Sequence, residues 1–146
     1  MQKCAPAVTV IAFGLVFLPA IALLAQDNHE AQRLSPDDAF WHALKKALAN
    51  SDGIQYFDQN IKGALLPVLA GRVISATPAD RPSVLVLAMY DGVQPEVTLR
   101  LKDKNGAEDH MPGPVTAGSL IRFEGVGVSF IQEPFMLTFD VPTSRR

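Results

Sequence analysis

Apolar and polar positions divide this chain into three stretches with different periods. Residues 5–25 carry no charge, and Lys3 with the terminal amine stands ahead of them. A middle stretch repeats its apolar positions at helical spacing, with Phe40, Trp41, Leu44 and Leu48 on one stripe and Ile54, Phe57 and Ile61 on another. From Leu65 onward the period drops to two, and β-branched residues replace alanine as the main apolar type.

The middle stretch predicts a helix from Ser35 to about Asn50. Ser35-Pro36-Asp37-Asp38 offers a capping hydroxyl, a proline preset for the first turn, and two carboxylates at the positive end of the helix dipole. Lys45 and Lys46 stand toward the other end, where cations are favoured, and Gly53 is the expected stop. A second, shorter helix is expected over Ile54, Phe57 and Ile61, closed by Gly63.

Five strands are expected after that, over residues 71–77, 83–90, 96–102, 119–130 and 135–141. The third alternates most clearly, with Val97, Leu99 and Leu101 on one face and Glu96, Thr98, Arg100 and Lys102 on the other, so one face is buried and one is wet. Gly125 and Gly127 inside the fourth predict a bulge or a sharp bend. Phe135, Leu137, Phe139 and Val141 share one face of the fifth. The fold class expected is α+β: an N-terminal amphipathic helix, or two short helices, followed by a small five-stranded antiparallel barrel. Curling so short a sheet buries one face and removes its edges.

The strand Gly71-Arg72-Val73-Ile74-Ser75, the strand Phe123-Glu124-Gly125-Val126 and the ending Glu133-Pro134-Phe135-Met136-Leu137-Thr138-Phe139 resemble those of uncharacterised exported bacterial proteins with a small barrel of the oligonucleotide/oligosaccharide-binding (OB) type. The likeness covers residues 63–141. It implies a fold and brings no catalytic residue with it. Residues 103–118, with Pro112, Gly113, Pro114 and Gly118, depart from the OB pattern, which usually carries a helix between strands three and four.

The first stretch reads as a cleaved export signal. Pro19 ends a helical apolar segment over residues 8–18, too short to span a bilayer, and Ala22 and Ala25 compete as the last residue removed. Retention as an inner-membrane anchor is the alternative. The expected organisation is then signal 1–25, tether 26–34, helical segment 35–63, barrel 64–142 and polar tail 143–146. Periplasmic or secreted location follows, with membrane contact only through the signal. The single cysteine, Cys4, leaves with it, and the remainder lacks disulfides and thiolate chemistry. Net charge is −2 over the chain and one unit more negative without Lys3. That balance lacks the electrostatic term behind most nucleic-acid affinity, so nucleic acid is not expected as a partner.

Candidate chemistry is sparse. Glu108-Asp109-His110 joins an imidazole to two carboxylates in a long connection; such a pair can ligate metal or act as a general base. Solvated turn content beside Asn105-Gly106 is the ordinary reading. Asp38 and His42 are spaced for an ion pair on one helix face. Arg72 and Tyr90 stand on strands whose surface can bind a ligand. Phe123, Phe135 and Phe139 belong to the core by alternation, with Phe130 partly exposed. No nucleophile elbow, zinc-protease helix or phosphate loop is present. No catalytic residue, metal ligand or cofactor is assigned. The expectation is an exported, non-catalytic binding domain for an envelope protein or glycan; the alternative is a small metal-dependent hydrolase built on Asp109 and His110.

Overall fold

The stripe around Trp41 forms helix α1, Pro36–Ala49, in the computed structural model, which describes residues 36–143. The expected export signal and tether, Ser35, and residues 144–146 of the expected tail lie outside the described residues. Helix α2, Gly53–Asn60, follows after a three-residue turn. Gly53 opens α2 instead of ending α1, because a side chain there would collide with the carbonyl oxygen of Leu48. Trp41, Leu44, Leu48, Phe57 and Ile61 are buried as the stripes predict, whereas Ile54 is exposed.

The strands are β1 (Leu69–Thr77), β2 (Val84–Met89), β3 (Val97–Lys102), β4 (Leu120–Phe123), β5 (Val126–Ile131) and β6 (Met136–Pro142). They form one six-stranded mixed sheet, in the order β4-β1-β2-β3-β6-β5, curled into a half-barrel. Two expectations are corrected here. The expected fourth strand is two strands: at Glu124-Gly125 the chain leaves β1 as pairing partner and takes up β6. A Cβ on Gly125 would press on the Phe139 Cβ at 2.9 Å, so the bend follows a close crossing. The sheet is also not wholly antiparallel, since β3 and β6 run parallel, with Leu99 opposite Phe139. Parallel neighbours need a crossover. Residues 103–135 supply it by way of β4 and β5 on the two edges of the sheet.

Residues 61–66 hold the start of β5. Leu65 is bridged to Val126, which also pairs with Asp140 on β6. The amides of Gly63 and Leu66 donate to the carbonyls of Gly127 and Gly125 at 2.8 and 3.0 Å. Gly127 sits so close that a side chain would strike the Ile61 carbonyl. The glycine bend foreseen in this region is therefore present, with a register shift between Gly127 and Ser129.

The buried face joins Leu69 and Val73 of β1, Leu85 and Leu87 of β2, Val97, Leu99 and Leu101 of β3, and Leu137, Phe139 and Val141 of β6 to the helical stripe. Alternation decides this face. Phe135 is only half-buried because it lies just before β6, where it meets Trp41 edge-on at a centroid distance of 6.2 Å. Helix α1 is tied over the end of the sheet where β3 and β6 begin. Lys45 bonds Glu96, and the Gln132 amide donates to the carbonyls of Leu48 and Asn50 at 3.1 and 2.7 Å. The Leu48 carbonyl is one that the end of the helix leaves open, and the Asn50 carbonyl also accepts the Gly53 amide at 2.9 Å.

Candidate functional site

The connection carrying Asp109 and His110 is anchored to the sheet. Asp103 organises its turn, accepting the amides of Asn105 and Ala107 at 2.7 and 2.9 Å, with Gly106 at φ 85°. The Asp109 amide then donates to the Leu101 carbonyl at 3.0 Å, and the Met111 amide to the Pro82 carbonyl at 2.8 Å. This is Asx-turn chemistry with a short return along β3.

Within that frame Asp109 and His110 each reach a backbone partner. One Asp109 carboxylate oxygen accepts the His110 backbone amide at 2.8 Å, and the His110 ring is oriented by the Arg81 carbonyl, 2.9 Å from Nδ1. A carbonyl accepts only, so Nδ1 carries the proton and Nε2 is left 3.9 Å from Glu108. A general base of this kind needs a reacting group in front of it. Among the described residues no group of three His, Cys, Asp or Glu side chains is placed to hold a metal ion.

Arg72 is exposed on β1, opposite Leu120 of β4 and Ala88 of β2. Its guanidinium lies 3.4 Å from the Gly118 carbonyl. Tyr90, expected on a strand, lies in the turn just after β2 at φ 49°, in the left-handed region that non-glycine residues seldom adopt. Its amide donates to Ala70 at 3.3 Å. Burial raises the Tyr90 phenol above its ordinary value; contact with the Ala70 backbone opposes this, Asp37 and Asp38 add to it, and Arg122 opposes it. Tyr90 thus belongs with the start of α1. There Arg122 meets Asp37 at 3.2 Å, and buried Asp38 meets His42 at 3.1 Å, the pair expected from their spacing.

Two charged side chains of the sheet face are spent on each other. Arg100 grips Asp140 with two bonds, at 2.7 and 3.0 Å, and this hydrogen-bonded carboxylate raises the guanidinium's already high pKa. Bidentate geometry of this sort fixes both side chains.

A concavity of about 370 Å³ lies between α1, α2 and residues 64–67, with Phe40, Leu44, Tyr56, Asn60, Ile61 and Leu65 among its lining. The lining has no charged side chain. Leu65 stands at its rim, 49% exposed. Sequence periodicity passed over this site because its wall comes from the Leu65-Leu66-Pro67 connection, which belongs to neither the helical nor the strand pattern. The signal was that apolar run outside any element.

Comparison with protein-family models, with curated proteins and with solved structures gives no match to this chain.

Proposed function

We propose that this chain is an exported, non-catalytic binding module, an OB-type barrel capped by two helices, that engages an envelope protein through the groove between α1 and α2. The OB reading draws on three features: the long first strand shared by β2 and β4, the parallel β3–β6 pair, and the fourth strand that passes from β1 to β6 at Gly125. Fold alone assigns no function.

The observation that carries the functional reading is the uncharged lining of the groove. Its volume falls in the range of sites that receive a side chain or small ligand, and such sites are mostly apolar with a few polar groups for orientation. Asn60 and Tyr56 supply those groups. A glycan, presenting hydroxyls over its whole surface, finds few partners there, so a protein inserting an apolar side chain is preferred.

Capture from a solubilised envelope fraction, run in parallel with wild type and Leu65→Arg, tests this. Leu65 is half exposed, so the substitution leaves folding within about 0.5 kcal/mol. A partner retained by wild type and lost with Leu65→Arg is expected. Equal retention by both forms would contradict the groove as contact.

A further inference from the structure

The edge of β4 shares no residue with the lining of the groove. Gly118, at φ 90°, donates its amide to the Val73 carbonyl at 2.7 Å, while the Val73 amide donates to Ser119 at 2.9 Å. That is the hydrogen-bond pattern of a bulge with glycine in its first position. It fixes the phase of the β1–β4 ladder. Ser119, Ile121 and Phe123 turn their backbone groups toward β1, and Leu120 and Arg122 turn theirs away. β4 is the last strand of the sheet on that side. Among the described residues nothing pairs with this edge.

The side chains beside those free groups alternate in character. Leu120 is 59% exposed and Arg122 stands two residues on; across the ladder, Arg72 lies opposite Leu120 and Ile74, 39% exposed, continues the strip. Asp37 is the carboxylate that meets Arg122, in an exposed pair of small energetic worth. Arg72 has no ion-pair partner among the described residues, its guanidinium reaching only a carbonyl.

We infer that the β4 edge accepts an extended peptide as an added strand, with an apolar residue opposite Leu120 and an acidic residue two positions away opposite Arg122. An unpaired strand edge binds through main-chain hydrogen bonds, and alternate side chains supply specificity. The two arginines favour an acidic partner. An anionic membrane also attracts arginines beside aliphatic side chains, but a lipid surface leaves the N–H and C=O groups of Leu120 and Arg122 unanswered, whereas a strand pairs them. A second copy pairing β4 to β4 offers the two arginines no carboxylate, since β4 reads Leu-Ile-Arg-Phe.

The test uses the full chain, an acetylated Ser-Thr-Ile-Thr-Glu-Thr-Ser amide, and the same peptide with Lys in place of Glu, followed by amide NMR. The Glu peptide is expected to bind at least tenfold more tightly than the Lys peptide, with slowed exchange at the Leu120 and Arg122 amides. Arg122→Glu should reverse the preference. Leu120→Pro, which deletes an edge donor that β1 does not use, should weaken the Glu peptide at least tenfold. Slowed exchange in wild type carries the same test if that variant does not fold. Undiminished binding by folded Leu120→Pro, or no slowing of the two amides, would overturn strand addition. Arg122-dependent binding to phosphatidylglycerol vesicles without peptide binding would overturn it in favour of a membrane.

Discussion

The ammonium of Lys45 on α1 donates to the carboxylate of Glu96, fifty-one positions along the chain at the start of β3. Glu96 is 8% exposed, and the same ammonium lies 5.7 Å from the centre of the Phe135 ring. A buried carboxylate of this kind is costly without its counter-charge, so the pair clamps α1 to the sheet. Lys45→Met is expected to destabilise the fold by about 2–3 kcal/mol, below the range for a wholly buried pair because Lys45 is partly solvated. Glu96→Gln should cost less, and the double variant should recover part of the loss. Denaturant unfolding of all three forms measures the coupling.

Gly127→Ala is expected to cost about 1–3 kcal/mol, since the added methyl meets the Ile61 carbonyl and the backbone must give way. Gly113→Ala, at a position with open space around it, serves as the control and should be close to neutral. A shift in unfolding midpoint confined to Gly127 is the outcome to look for.

Burial holds the Tyr90 phenol above its ordinary value of 10.0. Between the unfolded and folded values the native state binds the extra proton, so the contribution is complete below pH 10 and is lost as pH rises through the folded value. Stability should therefore fall above pH 10 more steeply in wild type than in Tyr90→Phe. Thermal unfolding across that window compares the two slopes.

His110→Ala removes the Nδ1 bond to the Arg81 carbonyl, worth about 1 kcal/mol. Bound metal, measured by elemental analysis of the purified protein, should be the same in wild type and variant. Stoichiometric metal lost with His110→Ala would favour the hydrolase alternative over the binding module.

Much of the architecture was legible in the residues themselves. The stripe of Trp41, Leu44 and Leu48 and the alternation of Val97, Leu99 and Leu101 announce their buried faces because a single period governs each element. Gly53 departs from the expected stop because, although a glycine after a helix usually ends it, here the close approach of the Leu48 carbonyl demands a glycine at the start of α2. Pairing partners lie outside local pattern altogether: nothing in residues 119–130 says that the first half joins β1 and the second β6. Of the candidate site residues, Asp109, His110, Arg72 and Tyr90 were visible as chemistry, but their dispersal was not. The groove at Leu65 needed the tertiary fold, since α1, α2 and a connection contribute to it from separate stretches of sequence.

Hydrogen–deuterium exchange on the complex captured from the envelope fraction tests the binding-module reading most directly. Protection is predicted at residues 40–44 and 56–67, around the groove, with the 103–111 turn unchanged. Protection centred on Asp109 and His110, with the groove exchanging as in the free protein, would contradict it.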